Sequence, residues 1–529
     1  MDFNFIKKIA FAFFMCSNTF FAFSQESIVI AESKHNYNLN PRTATYATEA
    51  QILTGLYEGL FSYDPVTLEP LYAMAESYRI ARDKKRWTFV LKDDLKFSDG
   101  SKITAETVRN SFIKVLETPS APYSSLLDII QGAQELRTLA AEITFDDFQN
   151  LLTAEENLGI YAVDEKTISF YLKTPASHLP RLLCMPCFSV TDENLSLFSG
   201  PFCISEQSED KIILLKNQNY WDLKNTKLDK ITILLSSDEK ENVYGFNNGT
   251  IDWIASSFEE KTLIEKNAIQ VSAEFATQYF FFKFSKDSVF NNLNLRKALM
   301  EATPWDKLRA NTYVQAKTLI YSLNGYPTPE GYSFTDDFEA KLLMKQARKE
   351  LNLSEDEKIT IRFAITDSDY MKEKAKVLKD AWESLGVELE TILFSEFAYL
   401  SNIQKTDAEL FTYNWIGDFA DPLAFLELFR GNSTLNVTNW HNEEFDSLLD
   451  EAALYTDENH NKLLSKAEQL LLDEAVIFPI QHPVSVNIIN LNEIAGWSVN
   501  AFDLHPFKYI FKRAEKTEDI QDGNVCKLN

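Results

Sequence analysis

One segment in the C-terminal half constrains the fold class more than any other part of the chain. Lys358 to Ile365 (KITIRFAI) has the pattern of a strand, Ser368 to Leu385 that of a helix stopped by Gly386, and Val387 to Leu393 (VELETIL) that of a second strand. A strand, a helix and a strand in this order form a βαβ unit with a right-handed crossover and a parallel strand pair. The sequence therefore predicts an α/β lobe in this half.

The chain is too long for one hydrophobic core. Its 529 residues exceed the size at which single cores stop growing, and a hydrophobic content of 45% supplies ample material to bury. With only 15 Gly and 16 Pro, long disordered linkers are disfavoured. These features predict a compact protein of two or three domains.

The N-terminus has the composition of a secretory leader. Two lysines precede an apolar run from Ile9 to Phe23, and small residues follow. Residues 1–24 are therefore interpreted as a signal peptide, which predicts a periplasmic, exported protein. Cys16 offers an alternative as a lipid-anchored cysteine, but Met15 is large where that signal needs a small residue, so we favour the soluble form.

Charge and motifs exclude several classes of function. A formal net charge of −26 disfavours nucleic-acid binding, which needs a basic surface. The sequence contains no G-x-S-x-G, no H-E-x-x-H and no phosphate-binding Gly-rich loop, and its six His residues do not cluster. We therefore predict no enzyme, no catalytic residue, no cofactor and no nucleic-acid partner.

The cysteines leave two interpretations open. Cys184 and Cys187 form C-M-P-C, a spacing known from redox and zinc sites, but no second ligand pair stands at a suitable distance from them. We therefore predict no metal site. Cys184 and Cys187 are expected to be small packed side chains or to form one disulfide, and Cys203 and Cys526 are the other cysteines that follow the leader.

Two further segments have clear local patterns. Between Trp87 and Phe112, Trp87 to Leu91 alternates like a strand, Ser98-Asp99-Gly100 has the residues of a turn, and Thr104 can cap a helix. Later, FCISEQ and KIILLKN around the turn from Ser208 to Asp210 predict a β-hairpin. Neither pattern carries catalytic chemistry.

Six segments in a fixed order carry a resemblance. In chain order they are Leu39-Asn40-Pro41 with Leu56-Tyr57-Glu58-Gly59-Leu60, Trp87 to Phe112, Gly200-Pro201-Phe202 with Asn219-Tyr220-Trp221, Asn248 to Asp252, Arg296 with Ala298 and Ala302, and Trp415 to Pro422. The last, WIGDFADP, matches the pattern W-x-x-D-x-x-D-P. Together they resemble the family 5 extracellular solute-binding proteins, the peptide and nickel receptors of bacterial ABC importers, over most of the chain.

This resemblance implies an α/β, two-lobed periplasmic-binding-protein-like fold of the class II type with an extra peripheral α+β domain. Residues 26–57, 200–272 and 485–529 are then expected to form the first lobe, which we call lobe I. Residues 273–484 form lobe II, and residues 58–199 form the peripheral domain.

The resemblance also implies a ligand site between the lobes. In peptide-binding relatives the Asp of W-x-x-D pairs with the α-ammonium of the peptide, and here that residue is Asp418. Trp415 is expected to form a wall of the cleft, with core packing as the alternative, and Tyr123 matches a tyrosine that touches ligand. Tyr279 and Phe281 share one face of a predicted strand and are further candidate ligand contacts, although the opposite face could be the one that meets ligand.

The function implied is that of a substrate-binding receptor that captures peptides and delivers them to a membrane permease. Expected partners are a peptide ligand and the permease and ATPase subunits of an ABC importer, with the receptor itself a monomer. A nickel, metal-chelate or other small-solute receptor on the same fold is the alternative, and it predicts His or Arg in the cleft. Thr45 stands where some oligopeptide receptors have an acid, and Arg430 lies close in sequence without an assignable role toward a peptide carboxylate.

Overall fold

The computed structural model describes residues 26–513 except for 45, 120, 143–147, 322, 396–397, 400–401, 432 and 434. The predicted leader, Cys16, Thr45 and Cys526 therefore lie outside the described residues. Within the described ranges, none of the helices has the length and apolar character needed to cross a bilayer.

The strands of the described residues, in chain order, are β1 (Ser27–Glu32), β2 (Phe61–Tyr63), β3 (Pro70–Tyr72), β4 (Ala75–Ile80), β5 (Arg86–Leu91), β6 (Ile160–Ala162), β7 (Thr167–Tyr171), β8 (Phe202–Gln207), β9 (Lys211–Lys216), β10 (Lys230–Leu235), β11 (Trp253–Ile254), β12 (Ile269–Ala273), β13 (Ala276–Phe282), β14 (Val314–Gln315), β15 (Ile359–Thr366), β16 (Val387–Phe394), β17 (Leu410–Ile416), β18 (Ile477–His482), β19 (Val484–Ile489), β20 (Ile494–Ala495) and β21 (Phe511–Lys512).

The α-helices are α1 (Ala47–Leu56), α2 (Ala105–Leu116), α3 (Ala133–Glu142), α4 (Phe148–Asn157), α5 (Leu179–Leu182), α6 (Glu239–Asn247), α7 (Leu293–Glu301), α8 (Trp305–Leu308), α9 (Asp337–Leu351), α10 (Asp369–Trp382), α11 (Leu423–Leu426), α12 (Glu443–Ala452) and α13 (Glu458–Asp473). Short 3₁₀ helices span Ser124–Ile129, Pro186–Phe188, Glu260–Thr262, Lys266–Ala268, Val289–Asn291, Glu383–Leu385 and Phe507–Tyr509.

Lobe I is built on a seven-stranded mixed sheet in the order β12-β19-β11-β1-β10-β9-β8. Strand β1 lies at its centre and pairs in parallel with β10 and β11, which buries the apolar side chains of Ile28 and Ile30. The predicted hairpin is present as the antiparallel pair β8 and β9. All seven strands come, within one residue, from the three segments predicted for this lobe.

Lobe II contains a six-stranded sheet in the order β14-β18-β13-β17-β15-β16. Strands β15 and β16 are parallel and flank α10, so the predicted βαβ unit is confirmed. The Ser368 side chain caps α10 by accepting a hydrogen bond from the Met371 amide. Gly386 follows the Glu383–Leu385 turn with φ +75°, a left-handed conformation that glycine adopts without strain.

The peripheral region carries an antiparallel sheet in the order β4-β5-β7-β6, with α2 packed against β6 and β7. Thr104 caps α2, since its Oγ1 accepts a hydrogen bond from the Thr107 amide at 3.3 Å, as predicted. One continuous apolar core joins this region to lobe II and includes Phe112, Phe188 and Phe425. The exact limits between the three regions stay a prediction.

Two strand connections cross between the lobes and form a hinge. Strand β12 of lobe I continues into β13 of lobe II through Glu274 and Phe275, and β18 of lobe II continues into β19 of lobe I through Pro483. The Glu274 amide donates to the Pro483 carbonyl at 2.8 Å, which holds the two crossings side by side. The chain passes between the two sheets at these short connections, which is the kind of position at which hinges occur.

Candidate functional site

A cavity of about 340 Å³ lies at this hinge, where both lobes and the peripheral region meet. Its lining residues are Pro41, Ala44, Tyr46, Ala47, Ala50 and Leu53 from lobe I, Tyr63, Tyr123, Met185, Pro186 and Cys187 from the peripheral region, Glu274, Ile416, Gly417 and Asp418 from the hinge and lobe II, and Ala501, Phe502, Asp503 and Leu504 from the returning C-terminal segment.

Three carboxylates line the cavity, and the described lining residues include no Lys, Arg or His. Burial raises the pKa of Asp418 to about 6. Burial, and to a smaller extent the charge of Asp503, also raises the pKa of Glu274. These shifts are those of carboxylates without a counter-ion, so the cavity favours a cationic ligand.

Asp418 lies in the loop that follows β17. The Gly417 amide donates to the Phe275 carbonyl at 2.8 Å, and a Cβ at Gly417 would stand 2.3 Å from the Phe275 ring, so only glycine allows this approach to the hinge. Asp418 itself is half-buried, and among the described residues its carboxylate has neither a hydrogen bond nor an ion pair. A ligand ammonium would offset its desolvation.

Asp503 approaches the same cavity from the C-terminal segment. Its Oδ1 accepts a hydrogen bond from Asn487 Nδ2 at 2.8 Å and lies 3.1 Å from His505 Nε2. Asp503 adopts φ +49°, a left-handed conformation that Asp tolerates better than most residues. Its carboxylate is therefore oriented by protein groups, in contrast to that of Asp418.

Tyr123 and Cys187 line the cavity beside Asp418. Burial, followed by the charge of Asp418, raises the pKa of Tyr123, and burial with a smaller contribution from Asp418 raises that of Cys187. Both groups are therefore neutral at physiological pH. The thiols of Cys184 and Cys187 are free and buried, so the expectation of packed side chains holds and the disulfide alternative does not.

Trp415 does not line the cavity. Its Nε1 donates to the Ala424 carbonyl at 2.7 Å, and its ring stacks on Tyr413 with centroids 6.0 Å apart. The side chain thus ties β17 to α11, the helix that follows the Asp418 loop in sequence. This position matches the alternative of core packing rather than that of a cleft wall.

Tyr279 and Phe281 require a correction. They are 2% and 0% exposed and pack in the core, where Tyr279 contacts Phe429 and Phe281 stacks on Phe411. Strand β13 is flanked by β17 and β18, and its other face, with Phe280, is equally buried. Neither face of this strand reaches the cavity.

Arg430, the basic residue considered for the peptide carboxylate, does not line the cavity. Arg430 pairs with Glu427 at 2.8 Å and with Asp450 at 2.7 Å. Within the described ranges, no group of three or more His, Cys, Asp or Glu side chains could hold a metal ion. The metal-chelate alternative predicts His or Arg in the cleft, and the described cavity lining contains neither.

Sequence reasoning missed Glu274 and Asp503. Glu274 lies in a two-residue connection between strands, and Asp503 lies in an irregular segment, so neither position shows a periodic pattern. The one available signal was an acid at a junction between two apolar strands, which is too common in a chain with 78 acids to single out a site.

The sequence and the fold match known proteins. Residues 69–436 match the bacterial extracellular solute-binding proteins, family 5 Middle. The chain is 25% identical over 479 residues to the oligopeptide-binding protein OppA of Bacillus subtilis, covering 84% of this chain and 85% of the relative.

Two solved structures share the fold. The periplasmic murein tripeptide-binding protein MppA in its unliganded open form superposes with a TM-score of 0.78 at 20% identity, covering 92% of this chain and 98% of the other. The peptide-bound OppA of Listeria monocytogenes superposes with a TM-score of 0.61 at 22% identity, covering 93% and 100%. The predicted two-lobed fold is thus confirmed.

Proposed function

Since the chain belongs to the family 5 bacterial extracellular solute-binding proteins, whose members are solute-binding receptors rather than enzymes, we propose that it captures peptides in the hinge cavity and delivers them to an ABC importer. Its relative in Bacillus subtilis is an oligopeptide-binding protein, and the OppA of Listeria monocytogenes has been solved with peptide bound. These relatives support peptides as the ligand class.

The single observation that carries the proposal is the Asp418 carboxylate at the cavity wall, which has no partner within the described part of the chain. Every unmodified peptide has an α-ammonium, whatever its side chains, so a receptor for many peptides can anchor on that group. An ammonium placed against Asp418 would form a charge-assisted hydrogen bond in a partly desolvated site. A ligand without this group would leave the carboxylate unpaired, and that penalty supplies selectivity.

The same charge distribution disfavours other solutes on this fold. An anionic ligand would meet Asp418, Glu274 and Asp503 without a compensating cation in the described lining. A peptide carboxylate must then lie outside this cavity or in water. Space for ordered water around the ligand would let the cavity accept varied side chains.

Delivery follows from the hinge. A ligand that contacts Asp418 on one side and α1 on the other binds better when the lobes are close together, so it shifts the population toward a closed form. In this proposal the permease recognises that closed form, and ATP hydrolysis belongs to the partner subunits. The receptor acts outside the cytoplasm after its leader is removed.

Calorimetry with peptides tests the proposal. The protein is partially unfolded and refolded to strip carried ligand, and is then titrated with alanine peptides of two to five residues with free or acetylated N-termini. We expect heat of binding for at least one free peptide and a large loss on acetylation. Circular dichroism checks that the protein has refolded correctly. If the correctly refolded protein binds no peptide of any length, the proposal is wrong.

A further inference from the structure

The Asp418 loop is anchored to the rest of the molecule by an ionic cluster that lies outside the cavity lining. We call it the tetrad, and it consists of Glu69, Arg181, Asp421 and His460. Arg181 NH2 donates to both Glu69 carboxylate oxygens at 3.0 Å, and His460 Nε2 lies 2.9 Å from Asp421 Oδ2. Arg181 NH1 joins the two pairs at 3.5 Å from Asp421 Oδ2.

The geometry fixes the protonation of His460. Its Nε2 faces the Asp421 carboxylate, and its Nδ1 lies 2.9 Å from the Ala452 carbonyl oxygen, which can only accept. Both ring nitrogens therefore carry hydrogen, and His460 is an imidazolium. Its burial at 3% exposure is tolerable because Asp421, at 0% exposure, supplies the opposite charge.

The tetrad connects two regions of the chain and is neutral as a whole. Glu69 and Arg181 come from the peripheral region, whereas Asp421 and His460 come from lobe II, and each pair contains one positive and one negative charge. Removing one member leaves an uncompensated charge at the junction. The tetrad thus makes the position of the Asp418 loop depend on the peripheral region.

The loop is held on every side except at Asp418. Its start is fixed by the Gly417 amide on the hinge, and its end by Asp421, whose Oδ1 also accepts from the Leu423 amide at 3.0 Å. Between them, the Phe419 ring stacks on His178 of the peripheral region with centroids 5.4 Å apart. Only the carboxylate of Asp418 is left without a partner among the described residues.

We infer that the tetrad, through Asp421 and His460, is the positioning device that holds Asp418 at the cavity wall, so that the peripheral region sets how strongly the receptor discriminates a free amine. This inference rests on the proposed function. With the tetrad intact, Asp418 stays partly desolvated and an ammonium gains from pairing with it. With the loop released, Asp418 is hydrated, and an ion pair in water is worth little.

The test compares binding of free and N-acetylated trialanine to the unchanged protein and to His460→Gln. We expect the ratio of the two dissociation constants to fall at least about tenfold in the variant, equivalent to ~1.4 kcal/mol. Affinity for the acetylated peptide should change little. A general loss of stability would weaken both ligands alike, so the ratio separates positioning from folding.

Two further variants keep the test decisive. Arg296→Gln removes a cation that is 2% exposed and lies in lobe II away from the cavity, so it should lower stability without changing the ratio. If His460→Gln does not fold, Glu69→Gln is used in its place. The Glu69 side chain is 42% exposed, so its replacement should destabilise the protein less. The ratio of the two dissociation constants should then fall by a smaller factor.

The outcomes distinguish the inference from the proposed function. If the unchanged protein does not discriminate between the two peptides, the proposed function fails and the inference fails with it. If the unchanged protein discriminates and the folded tetrad variants discriminate equally well, the inference alone is wrong.

Discussion

Two carboxylates three residues apart in one loop have opposite electrostatic environments. Among the described residues Asp418 at the cavity has no counter-ion, and burial raises its pKa to about 6. Asp421 is more deeply buried, yet His460 and Arg181 hold its pKa well below the usual range despite the opposing effect of burial. Burial alone therefore does not decide the charge state of an acid. Neighbouring cations can offset the effect of burial on its pKa.

This contrast separates a binding group from a structural one. The Asp421 carboxylate has its partners within the protein, so it contributes to stability and to the position of the loop, and it reaches the ligand only through Asp418. The Asp418 carboxylate has no partner among the described residues, so we expect it to contribute mainly to ligand binding.

The largest effect is expected for stability when Asp421 is replaced. Asp421→Asn leaves His460 and Arg181 buried without a full counter-charge, and breaking such a pair costs ~3–5 kcal/mol. Urea unfolding monitored by fluorescence measures the loss. Asp418→Asn, the matched variant in the same loop, should leave stability at pH 7 unchanged or slightly raised. Equal losses for the two variants would contradict the contrast.

The next effect concerns ligand affinity. Asp418→Asn should weaken binding of a free tripeptide by ~2–4 kcal/mol, because truncating one partner of a partly buried charge pair costs that much. Isothermal calorimetry gives the change in dissociation constant. Asp287→Asn, at an exposed acid outside the cavity lining, is the control and should bind like the unchanged protein. A loss common to both variants would exclude a specific role for Asp418.

Affinity should also depend on pH in a direction fixed by the raised pKa. Below pH 6 the free protein carries a proton on Asp418 that an incoming ammonium displaces, so affinity falls by up to about tenfold per pH unit as pH decreases. Calorimetry at pH 5 in two buffers of different ionisation enthalpy should report release of nearly one proton. Release should vanish at pH 7 and in Asp418→Asn. Equal proton release in that variant would assign the titration to another group.

The smallest effect is expected at His178. His178→Gln removes the stacking on Phe419, which is worth ~0.5–1.5 kcal/mol of stability at pH 7. Burial lowers the pKa of His178 to about 4 from its ordinary value near 6.5, so the unfolded chain binds the proton first as pH falls. The unchanged protein therefore loses its advantage as pH falls from 6.5 toward 4, and because this loss exceeds the stacking contribution, the variant should become the more stable of the two before pH 4. Thermal unfolding at several pH values measures both effects.

Much of the fold could be predicted because it depends on local patterns. The strand periodicity of residues 358–365, the cap at Ser368 and the stop at Gly386 each act within a few residues, so the βαβ unit was visible in the sequence. The hairpin of β8 and β9 was visible for the same reason. The resemblance then ordered these units into lobes.

The site was less predictable because it is assembled from distant segments. Asp418 could be named through its motif, but Glu274 and Asp503 come to the cavity through tertiary structure alone. Tyr279 and Phe281 were misplaced because alternation shows that two side chains share a face without showing which face is covered. The partnership of Asp421 with Arg181 spans 240 positions, and no local pattern reports it.

A double-mutant cycle gives the most direct test of the amine anchor. Dissociation constants are measured for free and N-acetylated trialanine with the unchanged protein and with Asp418→Asn at pH 7. We predict a coupling energy of at least about 2 kcal/mol between the carboxylate and the ammonium. A coupling below about 0.5 kcal/mol, with both proteins folded and binding the free peptide, would contradict the assignment of Asp418 as the group that binds the peptide amine.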